Sequence, residues 1–227
     1  MPGTSDTFEI FFVRHGQSTA NAEGVWQGQL EFSLSGLGRE QARRAGAALA
    51  ATGPFSGVYT SPLARAAETA ELISGELRSA ARFSGEVVAL PGLTERHGGL
   101  LQGRSFEQTR AQNPELIEKF RSLPEEEAWS LVGAETDGEL MLRFGSALAE
   151  IRELQDSVES PRAVVVAHGG VLRAFLRDTF GHDVLPGTTR APNASLTRIL
   201  WRCSGADSAE PELMDLASTA HLQDLEE

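Results

Sequence analysis

The chain has 227 residues, of which 41% are hydrophobic, and it carries a formal net charge of −12 at pH 7. This length is enough for a sizeable core, so we expect one domain over residues 1–227, although two smaller domains would also fit. The negative charge argues against nucleic acid or an anionic membrane as a partner, because both require a positively charged face. With no long apolar stretch, no signal-like N-terminus and Cys203 as the single cysteine, we expect a cytoplasmic protein.

The first predicted element is a strand near residues 8–13, and Arg14 and His15 follow it directly. A histidine is nucleophilic when it is neutral, and an adjacent cation lowers its pKa, so this pair is suited to attack on a phosphate. Such attack also requires positive charge directed at the phosphoryl oxygens, which Arg14 can supply. Nearby, Ser18 and Asn21 offer short polar groups for phosphate oxygens.

A second predicted strand, near residues 57–60, leads into a helix near 62–79 that carries Arg65 in its first turn. An arginine on a helix is ordinarily a solvated side chain, but here the first turn faces the end of the strand. Farther along the chain, a glycine-rich loop holds Glu95. A carboxyl group near bound phosphate has a raised pKa, which suits a general acid that protonates the leaving oxygen.

A third predicted strand, near residues 162–167, ends on His168, and Gly169 and Gly170 begin the next helix. The two glycines allow a ligand to approach the backbone closely, and the helix N-terminus favours an anion. A lone histidine at such a place is more often hydrogen-bonded in the core. Two histidines at strand ends, each followed by glycine, favour a shared anion site.

The alternation of these elements predicts an α/β fold, a three-layer α/β/α sandwich with a mostly parallel central sheet. The predicted strands lie near residues 8–13, 57–60, 86–90, 162–167 and 195–202, and the predicted helices near 36–51, 62–79, 105–121, 138–157 and 170–180. Ligands of such sheets bind beyond the carboxyl ends of the strands, where His15, Arg65 and His168 fall.

The stretch 104–136 differs from the rest of the chain, with Pro114, Pro124 and an acidic run. It predicts a helical insertion that covers the site and influences the choice of substrate. The acidic run is expected to be a solvated face. The aromatic and apolar side chains of this stretch either line a pocket wall or simply pack against one another: Phe106, Phe120, Trp129 and Leu131.

The C-terminal region is predicted to contain a loop at 204–211, an edge strand at 212–218 and a loose acidic tail at 221–227. Two further histidines need separate interpretations. His97 adjoins the Glu95 loop and either contacts substrate or supports the loop, whereas His182 is expected to cap the preceding helix.

Four motifs occur in order between residues 8 and about 201: Arg14–Asn21, Ser61–Ala70, the loop around Glu95, and Ala167–Gly170. Together they resemble the histidine phosphatase superfamily, in the branch that contains the cofactor-dependent phosphoglycerate mutases. The resemblance implies roles for the following residues: His15 as the phosphorylated residue, Arg14, Arg65 and His168 as the phosphate pocket, Glu95 as proton donor, and Asn21, Gln27, Gly28 and Gly169 as substrate contacts. The match departs from the family pattern at Glu31, where an aspartate is usual.

The resemblance leaves hydrolysis and phosphoryl transfer open. In the mutase subgroup, a tyrosine and a lysine of the Glu95 loop and a nearby arginine pair hold the substrate. Here Gly98 stands at the tyrosine position, Phe106 stands at the lysine position, and the adjacent pair Arg43-Arg44 lies on an early helix. We therefore expect hydrolysis of a small phosphorylated metabolite through a phosphohistidine, with a phosphoglycerate mutase as the alternative.

We expect neither a metal ion nor a cofactor. Arginines that line a site repel a divalent cation, and no His-x-x-x-His spacing occurs in the sequence. A further alternative is a catalytically silent module that binds a phosphorylated ligand or a protein. The presence of all five predicted catalytic residues argues against that alternative. The sequence leaves the oligomeric state open.

Overall fold

A computed structural model of the protein describes residues 7–185, 190–203 and 209–225. The strands are β1 (Thr7–Arg14), β2 (Val25–Trp26), β3 (Gly57–Thr60), β4 (Val87–Ala89), β5 (Arg104–Ser105), β6 (Arg162–Ala167), β7 (Leu196–Cys203) and β8 (Ala209–Ser218). The α-helices are α1 (Thr19–Ala22), α2 (Gly36–Thr52), α3 (Ala64–Ser79), α4 (Phe106–Gln112), α5 (Pro114–Ser122), α6 (Glu125–Leu131), α7 (Asp137–Leu154) and α8 (Gly169–Phe180). Within these ranges, no helix is both long and apolar enough to cross a membrane.

The central sheet has six strands in the order β4-β3-β6-β1-β7-β8. The first four are parallel, and β7 and β8 extend one side as antiparallel strands. Arg14 pairs with Ala167, and Thr60 pairs with Val166, so β1, β3 and β6 end at the same level. The residues that follow them therefore meet at one edge of the sheet, as predicted.

Helices cover both faces of the sheet. Along β1, Ile10 and Phe12 pack on one face against α7 and α8, whereas Phe11 and Val13 pack on the other against α2 and α3. Side chains of a strand alternate between faces, so a strand covered on both sides must be apolar throughout. The predicted three-layer α/β/α architecture is confirmed.

Residues 104–136, here called the cap, contain three short helices. The helix prediction for this segment was wrong. One helix was predicted over 105–121, but the structure has α4 and α5, with a break at Asn113 and Pro114. Proline disfavours the helical conformation of the residue before it, and Asn113 accordingly has φ −140° and ψ 66°. Strand β5 of the cap pairs with β2, which joins the cap to the segment after α1.

The C-terminal prediction was partly wrong. The edge strand is confirmed, but it begins at Ala209, so residues 209–211 are strand rather than loop, and 204–208 lie outside the described residues. Residues 221–225 are not a loose tail. His221 Nε2 lies 3.0 Å from the Ala194 carbonyl oxygen, and Arg44 donates to the Gln223 carbonyl at 3.0 Å. These contacts fasten the end of the described chain to the sheet and to α2.

Candidate active site

His15 lies directly after β1 and is buried, with 2% of its surface exposed. Its Nδ1 is 2.7 Å from the Gly16 carbonyl oxygen. Since a carbonyl oxygen only accepts, Nδ1 carries the proton and the lone pair is on Nε2. Burial, followed by the charges of His168, Arg14 and Arg65, holds the pKa of His15 well below its ordinary value. The imidazole is therefore neutral at physiological pH and has a nucleophilic nitrogen.

Two arginines flank this histidine, and backbone carbonyls rather than carboxylates hold them. Arg14 donates to the Ala191 carbonyl at 2.7 Å, and Arg65 donates to the carbonyls of Gly28 and Leu30 at 2.7 and 2.8 Å. Burial, with Arg190 next in importance, lowers the pKa of Arg14 to about 10, so it stays charged at neutral pH. Within the described part of the chain, neither arginine forms an ion pair. Their positive charge is therefore not neutralised by an ion pair within this part of the chain.

His168 occupies the N-cap position of α8 and is fully buried. Its ring centroid is 5.1 Å from that of His15. Burial, followed by the charges of Arg65, Arg14 and Arg143, holds the pKa of His168 well below its ordinary value. Neither ring nitrogen has a hydrogen-bond partner among the described residues. A buried polar group without a partner is costly, so the packing of this imidazole alone does not explain its position.

Glu95 is bound to the N-terminus of α8. Its carboxylate accepts the backbone N–H groups of Gly170 at 2.9 Å and Val171 at 3.0 Å, and that of Arg96 at 2.8 Å. Burial alone would raise the pKa of Glu95, but the Gly170 N–H, the charge of Arg190 and the other donors lower it overall. The sequence-based expectation was a raised pKa beside phosphate. In the structure, the helix N-terminus stabilises the carboxylate form.

The two glycines that begin α8 allow this close approach. A Cβ atom at Gly170 would lie 2.4 Å from Glu95 Oε1, and one at Gly169 would lie 3.1 Å from Arg14 Nε. Any side chain at Gly170 would displace the carboxylate. The His-Gly-Gly sequence therefore places both Glu95 and Arg14 against the start of the helix.

A cavity of about 220 Å³ opens above these groups. Most of the residues predicted for the site line it, namely Arg14, His15, Asn21, Gln27, Gly28, Arg65, Glu95 and Gly169. Two predicted residues do not line it. His168 is fully buried next to His15, and Ser18 is buried, where it caps α1 and its hydroxyl donates to Gln27 Oε1 at 2.8 Å. Ser18 thus positions Gln27 rather than facing the cavity.

The sequence analysis missed several lining residues. Trp26, Arg96, Arg173 and Arg190 also line the cavity, and so does Trp129 of the cap, for which a pocket wall was one of the two expected positions. Arg190 lies between α8 and β7 in no recognised motif, and its guanidinium is 4.9 Å from the Trp26 ring. The excess of arginine over lysine was the available signal, because arginine favours anion binding, but it does not identify a position.

Arg143 on α7 was also missed, and it shapes the loop that carries Glu95. It donates to the carbonyls of Gly92, Thr94 and Glu95 at 2.8, 2.7 and 3.0 Å. Glu135 holds the same guanidinium through two contacts, of 2.6 and 2.8 Å. The backbone on both sides of the candidate acid is therefore fixed by one side chain.

His97 also belongs to this loop and does not line the cavity. Its Nε2 is 3.1 Å from Gln102 Nε2, and its Nδ1 accepts the Gly99 N–H at 3.3 Å. Of the two interpretations, these contacts favour support of the loop. His182 lies in a short 3-10 turn after α8, and it contacts Arg177. Among the described residues, no group of three or more His, Cys, Asp or Glu side chains is arranged to hold a metal ion.

A neutral buried histidine, two cationic guanidiniums and a carboxylate line this cavity at one edge of the sheet. The chain matches the family described as "Histidine phosphatase superfamily (branch 1)" over residues 10–210. It belongs to that superfamily. The predicted resemblance is confirmed, and the four motifs lie at or after the ends of four neighbouring strands of one sheet.

Relatives of this superfamily member include both phosphatases and mutases. It is 37% identical over 176 residues to a metal-independent phosphoserine phosphatase from Arabidopsis thaliana, covering 77% of this chain and 70% of the relative. It is 32% identical over 210 residues to a 2,3-bisphosphoglycerate-dependent phosphoglycerate mutase from Azorhizobium caulinodans, covering 91% and 97%. A phosphoglycerate mutase structure from Bacillus anthracis shares the fold, with a TM-score of 0.80, 19% identity and 96% coverage of both chains.

Proposed function

We propose that the protein is a metal-independent phosphomonoesterase that hydrolyses a small phosphorylated metabolite through a phosphohistidine on His15. The observation that supports this most strongly is the state of His15, whose protonated Nδ1 is held on Gly16 while Nε2 keeps its lone pair. Arg14 and Arg65 line the same cavity without an ion-pair partner in the described chain. A nucleophile and a cationic cradle are the two requirements of phosphoryl transfer.

In the first step, His15 Nε2 attacks phosphorus, a P–N bond forms, and the bond from phosphorus to the alcohol oxygen breaks. Arg14 and Arg65 stabilise the charge on the equatorial oxygens, since their guanidiniums remain ionised at neutral pH. His168 lies next to the nucleophile with no hydrogen-bond partner in the described chain, and we assign it to the same oxygens as they move towards His15.

Glu95 then protonates the leaving oxygen. Its pKa is below the ordinary value in the structure, so a proton must arrive with the substrate. A phosphate bound between Arg14 and Arg65 brings negative charge beside the carboxylate, which raises its pKa. Substrate that binds as a monoanion supplies both the charge and the proton. After the alcohol leaves, the ionised Glu95 takes a proton from water as that water attacks phosphorus and releases His15.

Hydrolysis is favoured over mutase chemistry by the residues that face the cavities. A mutase must hold a phosphorylated acid while it excludes water. Gly98 lines the phosphate cavity, and Phe106 lines the adjoining space under the cap. Neither contributes a donor side chain at the positions where the mutase subgroup has a tyrosine and a lysine.

The test is release of inorganic phosphate from a panel of phosphomonoesters in the presence of EDTA, comparing the wild type with His15→Ala. The panel includes phosphoserine and 3-phosphoglycerate, the latter with and without 2,3-bisphosphoglycerate. We expect EDTA-resistant release by the wild type alone. Isomerisation of 3-phosphoglycerate with little release would establish a mutase instead, and phosphate-ester binding without turnover would establish a silent binding module.

A further inference from the structure

A second cavity, of about 630 Å³, lies under the cap and adjoins the phosphate site. We call it the ring cavity, and its lining residues are Trp26, Phe106, Phe120, Arg121, Leu123, Glu125, Ala128, Trp129, Arg173 and Arg190. Four of them, Trp26, Trp129, Arg173 and Arg190, also line the phosphate cavity. A group joined to a phosphate at His15 therefore has the ring cavity directly beside it.

Four of the ten residues that line the ring cavity are aromatic. The Trp26 and Trp129 ring centroids are 5.8 Å apart, and those of Phe120 and Trp129 are 5.4 Å apart with the rings nearly perpendicular. Such side chains ordinarily fill space in a core, yet here they surround a volume that a side chain does not occupy. An apolar group that enters gains the free energy of leaving water and gains contacts with the rings.

Arginines complete the walls, and two of them lie over aromatic faces. The Arg121 guanidinium is 4.5 Å from the Phe106 ring centroid, and that of Arg190 is 4.9 Å from the Trp26 centroid. Guanidinium groups are planar and stack on aromatic rings, so the cavity presents flat surfaces of both kinds. A small polar hydroxy acid would leave most of this cavity unfilled.

We propose that the ring cavity binds the alcohol part of the substrate, and that the enzyme prefers phosphomonoesters whose alcohol carries a planar ring. The inference rests on the proposed function, because the ring must be joined to the phosphate that His15 attacks. The ring packs among Trp26, Phe106 and Phe120. The scissile oxygen stays beside Glu95 in the phosphate cavity.

The test compares kcat/KM for phenylpropyl phosphate and propyl phosphate. Both release a primary alkoxide of similar basicity, so the chemical step is alike and the difference reports binding of the ring. We expect phenylpropyl phosphate to be preferred roughly 10- to 100-fold, the gain from burying one aromatic ring. Equal values for the two esters, with release dependent on His15, would overturn the inference and leave the proposed function standing. No release from either ester would overturn both.

Substitutions in the cavity wall locate the effect. Phe106→Ala and Phe120→Ala each remove a ring from a half-buried position, and we expect each to lower the preference for phenylpropyl phosphate about 5- to 10-fold. The ratio of two substrates within one variant is independent of how much of the variant is folded. Leu142→Ala is the control, since Leu142 is 76% exposed on α7, and the ratio should not change. An unchanged ratio in both phenylalanine variants would place the ring elsewhere and contradict the assignment.

A measurement on the wild type alone gives an independent check. Phenylpropanol is the alcohol released from the preferred ester, and we expect it to inhibit turnover at concentrations at which propanol has no effect. Inhibition by both alcohols at equal concentration would contradict a ring-binding site.

Discussion

The phosphate site and the ring cavity lie side by side but are built in different ways. The phosphate site is placed by backbone elements: His15 and His168 follow parallel strands, and Glu95 is held by the N–H groups of α8. Most of the side chains that form the ring cavity belong to the cap, and many of them are half-exposed; Trp26, Arg173 and Arg190 lie outside the cap. The reacting groups are thus fixed by the core of the fold, whereas the cap offers surfaces that single substitutions can change.

The comparison predicts that small changes at the phosphate site have the largest effects. Gly170→Ala adds one methyl group 2.4 Å from Glu95 Oε1, so the carboxylate must move. We expect kcat/KM to fall roughly 10²- to 10³-fold, the usual contribution of a general acid. Gly138→Ala is the matched control, because Gly138 is also the second residue of its helix and a Cβ there meets nothing within 4 Å. A Gly170→Ala enzyme as active as the control would contradict the role of Glu95.

Substitution of Arg143 tests whether side chains, in addition to backbone elements, position the reacting groups of the phosphate site. Arg143→Met removes the three bonds to the carbonyls around Glu95. We expect kcat to fall roughly tenfold or more, while KM changes little, since misplacement of a reacting group costs rate rather than binding. Arg82→Met, at an exposed position after α3, is the control. Loss of activity only in proportion to loss of folded protein, measured by thermal unfolding, would reduce Arg143 to a structural role.

The buried histidines predict a pH-dependent stability. Their pKa values in the folded protein lie well below the ordinary value, so below about pH 6.5 the unfolded chain binds protons that the folded protein does not. The free energy of unfolding should therefore fall as the pH is lowered, by about 1.4 kcal/mol per histidine from about pH 7.5 to about pH 5.5. Urea titrations at both pH values should show a smaller fall in His168→Asn than in the wild type. Equal falls would mean that the pKa of His168 is not lowered in the folded protein.

The smallest expected effect concerns the contact between the cap and α8. Glu125 binds Arg173 and Arg177 at 2.6 and 2.7 Å, and its side chain is 34% exposed. Glu125→Gln should cost about 0.5 to 1 kcal/mol of stability at low salt and less at high salt, because solvent screens a partly exposed ion pair. Glu127→Gln, an exposed neighbour on α6, should cost less at either salt concentration. A loss that is independent of salt would show that the contact is not electrostatic.

The two regions also differ in how well the sequence predicts them. The strands, the three-layer fold and the neighbours of His15 follow from short contiguous motifs, since apolar runs and glycines report local backbone geometry. The prediction of the cap helices was less accurate, because one helix was predicted across the break at Asn113 and Pro114. That break was available from the sequence, as proline restricts the residue before it.

Other features were beyond local reasoning. Arg143 acts on carbonyls 48 to 51 positions away, and Arg44 holds a carbonyl 179 positions away. Such contacts exist only once the chain has folded. The lowered pKa of Glu95 in the absence of a ligand depends likewise on N–H groups 75 and 76 positions distant, which local sequence reasoning does not reveal.

The measurement that tests the central claim most directly is a search for phosphohistidine during turnover. The wild type and His15→Ala are mixed with a rapidly hydrolysed ester, quenched in alkaline denaturant and mapped by peptide mass spectrometry. The account predicts an acid-labile phosphate on His15 of the wild type and none in the variant. Sustained hydrolysis by the wild type with no phosphate on His15, or with phosphate on another residue, would contradict it.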